Sequence, residues 1–152
     1  MFNQFLLWST LIIPWLALIP LNKNIVKSFI PSSLFGALLL TFIFQIADKF
    51  SWWEITENII LLSNITPFVY GVFLVGTIII LYFTYHSFLF FMLTNLIIDA
   101  LLSFGISKWY EHLGIYKLIN INSLGVYLLT IVVAILIYSF QKWLDSVIIR
   151  EE

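Results

Sequence analysis

Apolar residues run along this chain in five long blocks with short polar breaks between them, at residues 3–21, 29–47, 67–85, 87–106 and 123–141. Each block comes close to the 20 or so residues that a helix needs to cross a hydrocarbon core about 30 Å thick. Strands of a lipid-facing barrel alternate polar and apolar residues, whereas these blocks are apolar on every side. The pattern predicts an all-α, polytopic transmembrane helical bundle of five spans, one domain over residues 1–152. Its weakest break is the turn at Tyr85, His86 and Ser87, which must reverse the chain without Gly or Pro.

Two linkers carry a helical pattern of their own. Over residues 52–63, Trp52, Ile55, Ile59 and Leu62 fall on one helical face, with Glu54, Glu57 and Asn58 opposite. Residues 106–113 repeat the pattern, with Ile106, Trp109 and Leu113 on one face, Lys108, Glu111 and His112 off it, and Gly114 as the stop. Both segments are expected to lie as short helices in the headgroup region. Trp52, Trp53, Trp109 and Trp143 then sit at membrane boundaries as anchors. In the first block, expected to be an uncleaved helix, Pro14 denies a hydrogen bond to the Thr10 carbonyl and predicts a mild kink. Ser32-x-x-x-Gly36 and Ser33-x-x-x-Ala37 in the second block predict a close helix contact.

Composition turns this pattern into a membrane assignment: 62% of residues are hydrophobic, 10% are charged and the mean hydropathy is +1.06. Too few polar groups remain to cover a water-facing surface. A net charge of -1 without a basic cluster points away from nucleic acid, and the absence of Cys removes thiol catalysis and thiolate metal sites. His86 and His112 fall in turns on opposite membrane faces, HExxH is absent, and neither a GxSxG elbow nor a Gly-rich phosphate loop occurs. No metal, cofactor or catalytic residue is expected, and an enzyme is the less favoured class. The Asn64-Ile65-Thr66 sequon sits against Pro67 at a membrane boundary and says little.

Five spans put the termini on opposite faces. Lys23, Lys27, Lys142 and Arg150 fall on one side and Lys49, Lys108 and Lys117 on the other, which favours an outside N-terminus and a cytoplasmic C-terminus.

The one charge inside a block is Asp99. An ionisable group at membrane depth is a functional-site hypothesis by default. Asn95, Asp99 and Ser103 recur at i, i+4 and i+8, a polar stripe within about 80° on one helix face. The surrounding apolar side chains offset the insertion cost of the carboxyl, but the stripe should face other helices. Depth counting brings Thr10, Thr41, Tyr70, Thr77, Tyr127 and Thr130 to the same level, one or two hydroxyls from each other span. A buried carboxyl must find donors or take up a proton, so this is a candidate intramembrane polar cluster. It serves either as a structural clasp or as a proton- or ion-handling site.

The stretch TNLIIDALLSFGISKWYEHLGIYKL (Thr94 to Leu118), the Trp52-Trp53 pair and Pro67-x-x-Tyr70-Gly71 resemble a family of small uncharacterised integral membrane proteins of spore-forming Bacillota. That resemblance implies a bacterial plasma-membrane setting and no catalytic residue. The expected function is an accessory or structural membrane component with the lipid bilayer, a membrane-protein partner or a homo-oligomer as its contacts. The alternative is an oligomeric proton- or ion-coupled carrier that uses Asp99.

Overall fold

The structure, a computed structural model, describes residues 2–148. Its helices are α1 (Phe2–Ile12), α2 (Lys23–Lys49), α3 (Val72–Thr84), α4 (Phe88–Leu101), α5 (Ser107–His112) and α6 (Ser123–Ile148), with two short strands, β1 (Trp53–Ile55) and β2 (Tyr116–Leu118). Among the described residues four helical stretches are long and apolar enough to cross a membrane: Lys23–Lys49, Pro67–Thr84, Phe88–His112 and Ser123–Val147. Three of their starts are capped locally. Asn22 accepts from the amides of Asn24 and Ile25, Ser87 from that of Phe90, and Asn122 from that of Gly125, so three of the four begin where a short polar side chain satisfies amides that have no partner within the helix, and the stretch from Pro67 begins without one.

In the bundle, α2 lies against α3 and α6, and α4 against α3 and α6. Small residues let them approach: Ser32, Ser33, Gly36 and Ala37 of α2 are all buried. A Cβ at Gly36 would stand 2.5 Å from Ile137 Cδ1 and 3.2 Å from Phe73 Cε1, so this face of α2 has no room for a longer side chain.

The expected interfacial helix over 52–63 does not form. Trp53–Ile55 instead pairs antiparallel with Tyr116–Leu118, placing Trp53 opposite Leu118, Glu54 opposite Lys117 and Ile55 opposite Tyr116. Around this pair the Ile115 carbonyl accepts from the amides of Thr56 and Glu57, and the Trp52 carbonyl from those of Ile119 and Asn120. Pairing with a segment some sixty residues away satisfies a backbone that an isolated helix of about three turns would leave partly unbonded at both ends. Ile59 is buried all the same, 2% exposed against 93% for its neighbour Ile60.

The second expected interfacial helix is present as α5, but it continues α4 through a π-helical turn at Leu102–Ile106 and does not stand apart. It stops at Gly114, whose φ of +77° closes the turn, with the Gly114 amide donating to the Glu111 carbonyl and the Ile115 amide to the Tyr110 carbonyl. Gly114→Ala should lower stability by about 1 kcal/mol, because only glycine takes this conformation freely; thermal unfolding in detergent measures the loss.

The first block differs from the other four apolar blocks. Its α-helix ends at Ile12 and the chain continues as a 3-10 helix over Ile13–Leu18, so Phe2–Leu18 is a shorter apolar helix than the other four. The cause is Pro14, which cannot donate to the Thr10 carbonyl. This segment begins at the strand-pair end, where Asn3 Nδ2 donates to Glu57 Oε2 (2.7 Å) and the Leu113 carbonyl (2.9 Å). By residue 22 it has reached the far end, where the Asn22 amide donates to the Tyr82 hydroxyl (3.2 Å). Lys23 and Lys27 therefore share the far end with Lys142, while Arg150 lies outside the described residues.

Candidate functional site

Helix α4 holds Asn95 and Asp99 on its buried face, and the π-helical turn carries Ser103 inward after them. In an unbroken α-helix eight residues overshoot two turns by about 80°, which would swing Ser107 away from Asp99. The wider turn, closed by the Ser107 amide donating to the Leu102 carbonyl five residues back, takes up that excess rotation. Asp99, Ser103 and Ser107 consequently line one cavity. Asp99 is 8% exposed and Ser103 1% exposed, and the Asp99 Oδ2, Ser103 Oγ and Ser107 Oγ atoms have no hydrogen-bond partner. A buried oxygen without a partner costs about 1–3 kcal/mol. Three in one row mark a place where the fold accepts that cost.

The cavity has a volume of about 150 Å³ and lies between the C-terminal half of α2, the chain entering α3, the α4–α5 helix and the first turns of α6. The strand pair covers it: Trp53 of β1 meets Phe44 of α2 edge to face at 5.0 Å, and Tyr116 of β2 meets Tyr110 of α5 at 6.4 Å. Among the described residues no Lys, Arg or His lines it. Burial, and then the nearby Glu111 carboxylate, push the Tyr116 phenol well above its ordinary range, so it stays a neutral donor. The polar atoms are few and the walls are aromatic, the usual make-up of a small-molecule pocket.

The residues expected to join Asp99 divide into three groups. Thr77, Asn95, Asp99 and Thr130 share a second, smaller cavity of about 20 Å³, room for one water. There Asn95 Nδ2 donates to the Phe91 carbonyl (2.8 Å), Thr77 Oγ1 to the Phe73 carbonyl (2.8 Å) and Thr130 Oγ1 to the Tyr127 carbonyl (2.7 Å). Tyr127 reaches across to α4, donating to the Leu96 carbonyl (3.0 Å). Thr41 and Tyr70 form a separate pair at 3.0 Å, and neither lines the Asp99 cavities. Thr10 bonds the Leu7 carbonyl (2.7 Å), sits against Gly71 and lines neither Asp99 cavity. Equal depth does not decide contact: Leu40, Ile43, Val69 and Phe73, close in sequence to Thr41 and Tyr70, line the larger cavity, while these two hydroxyls turn to each other.

The sequence reading also missed a polar network at the far end. Gln141 of α6, 1% exposed, accepts from the Ser32 hydroxyl of α2 and donates to the Ser28 carbonyl (3.2 Å) and to Asp145 Oδ1 (3.0 Å). The Tyr85 hydroxyl donates to Asp145 Oδ2, and Lys142 Nζ stands 4.7 Å over the Tyr85 ring. Burial first, and then the bond to Asp145, raise the Tyr85 phenol above its ordinary range. A signal for this network existed: Ser28 and Ser32 are one turn apart on α2, and Gln141 and Asp145 one turn apart on α6.

His86, between α3 and α4, and His112, at the end of α5, lie at opposite ends of the bundle. Among the described residues no group of three or more His, Asp or Glu side chains comes together as a metal site would need. No family model matches the chain, and no curated protein or solved structure matches it either.

Proposed function

We propose that this chain is a small multi-pass protein of the bacterial plasma membrane that binds a small ligand in the chamber beneath the strand pair. Asp99 would be the contact that selects the ligand. One observation carries this reading: the Asp99 carboxyl is buried in the bundle with Oδ2 facing a cavity and no partner of its own. A clasp would spend its polar atoms on neighbouring helices. Gln141 does this at the far end, which leaves the chamber free for binding.

A five-span topology is part of the proposal. Eleven α-helical residues at about 1.5 Å and six 3-10 residues at about 2.0 Å give Phe2–Leu18 a length of roughly 28 Å, close to the hydrocarbon thickness. The sequence tally of four Lys and Arg (Lys23, Lys27, Lys142, Arg150) against three (Lys49, Lys108, Lys117) supports a cytoplasmic far end with the N-terminus and the strand pair outside. The resemblance of Thr94–Leu118 to small membrane proteins of Bacillota supports the bacterial setting. A carrier would work as a homo-oligomer, since one chain of this size has no second repeat to rock against. An accessory component is the second reading, favoured by the clasp at Gln141.

A membrane-permeant carbodiimide, which adds to a protonated carboxyl and stays attached, tests accessibility of the chamber. Mass spectrometry should find the adduct on Asp99 in the parent protein and none at that position in Asp99→Asn. Asp99→Leu should keep its thermal midpoint or raise it, because an unpartnered buried oxygen is removed. An unlabelled Asp99, or an Asp99→Leu protein destabilised by several kcal/mol as a lost clasp would be, refutes the ligand-chamber reading.

A further inference from the structure

The ligand-chamber reading leaves open what the chamber takes, and its lining answers that. We infer that the chamber selects a small primary organic ammonium whose apolar body is about the size of one aromatic ring. This rests on the ligand-chamber reading of Asp99 and goes beyond it to the ligand class.

The size follows from the volume. A half-open, mostly apolar space of about 150 Å³ has room for a benzene-sized molecule. The body is set by the walls, where Phe44, Trp53, Phe68 and Phe73 surround the space on the sides away from α4. Such rings receive an apolar group and attract a cation through their faces.

The head group is set by charge and by hydrogen bonding. Among the described residues Asp99 is the one carboxyl at the cavity and no basic side chain lines it, so its lining supplies no counter-charge. Oδ2 of Asp99 and Oγ of Ser103 stand one turn apart and lack partners. A primary ammonium carries three N–H donors and can give one to each of these oxygens while pointing its charge at the carboxyl and the aromatic walls. Ser107, a further turn along, is left for a polar substituent at the other end of the molecule.

The other ligand classes fit poorly. An organic anion would place like charge against Asp99 without a Lys or Arg to receive it. A neutral alcohol could use the same oxygens but gains no charge pairing, whereas an amine that enters can take the proton of the carboxyl and bind as the ammonium. A bare metal cation needs about six converging oxygens, and the cavity offers one carboxyl and scattered hydroxyls.

Three probes of one shape separate these cases: 4-fluorobenzylamine, 4-fluorobenzyl alcohol and 4-fluorobenzoate. Each is titrated with the full chain in detergent micelles and followed by 19F NMR line broadening, with empty micelles subtracted. The amine should bind at least about tenfold more tightly than the alcohol, and the benzoate should not bind. In Asp99→Asn the amine and the alcohol should differ by no more than about twofold, since the counter-charge is gone. Trp53→Leu should keep the preference for the amine and weaken its binding by about three- to tenfold, through loss of an aromatic wall. An alcohol that binds as tightly as the amine overturns the inference on the parent protein alone, whatever the variants do. A preference for the amine that survives in Asp99→Asn overturns it as well, as does binding of the benzoate. If carbodiimide labels Asp99 but none of the probes binds beyond the micelle background, the ammonium class is refuted and the chamber reading stands. Absence of both labelling and binding refutes the two together.

Discussion

Gln141→Leu should lower stability by about 2–4 kcal/mol, larger than any change at Asp99, although Gln141 lies near the end of α6 and carries no charge. The side chain makes three hydrogen bonds, to Ser32 and Ser28 of α2 and to Asp145 on its own helix. Interhelical bonds in apolar surroundings are worth about 0.6 kcal/mol on average and up to about 1.7 each, and Leu would also leave the Ser32 hydroxyl, 0% exposed, without its acceptor. Asp145 would keep Tyr85 alone. For a chain of this length the loss corresponds to a drop of roughly 5–10 °C in thermal midpoint. Gln141→Glu separates hydrogen bonding from shape, because it retains an acceptor for Ser32 but loses the donor to Ser28 and repels Asp145. Thermal unfolding of the purified protein in one detergent, followed by tryptophan fluorescence, ranks the three proteins. Equal midpoints for the parent and Gln141→Leu would show that the network holds nothing together.

Gly71→Ala should cost at least about 3 kcal/mol and detach α1 from the start of α3. A Cβ at Gly71 would stand 1.8 Å from the Thr10 carbonyl oxygen and 2.7 Å from Leu11 Cα. Both obstacles are backbone, so the clash cannot be relieved by a rotamer change and lies at or above the upper end of overpacking costs. That carbonyl approaches closely because Pro14 leaves it without its helical donor. If α1 comes away, the layer in which Leu7 packs against Ile59, Tyr110 and Ile115 opens with it. Limited proteolysis should then cut near residues 13–22 in Gly71→Ala and leave the parent intact. A parent-like cleavage pattern and thermal midpoint in the variant would show that α1 and α3 do not meet at this point.

How much could be read in advance differs from residue to residue. The polar face of α4 was legible, since Asn95, Asp99 and Ser103 are set out by helical spacing alone, and all three are buried. Their partners were not legible, because depth does not say which way a hydroxyl faces. Leu40, Ile43, Val69 and Phe73 reach the Asp99 cavity, yet Thr41 and Tyr70 beside them bond each other. Ser107 was hidden for a different reason: a π-helical turn changes which residues share a face, and nothing in LSFGI announces one.

By itself the sequence determined that the bundle is helical, where its four long apolar helices lie, with ends up to six residues off, and that one carboxyl lies deep in one of them. These are local properties, and side chains too apolar to face water impose them wherever the helices finally pack. Only the tertiary structure decided that Trp53–Ile55 pairs with Tyr116–Leu118, that Gln141 bridges α6 to α2, and that Asp99 lines a cavity with aromatic walls. Each of these joins residues far apart in the chain. Their energies depend on distances that helix ends, a proline and one widened turn set jointly, and no window of sequence contains all of those at once.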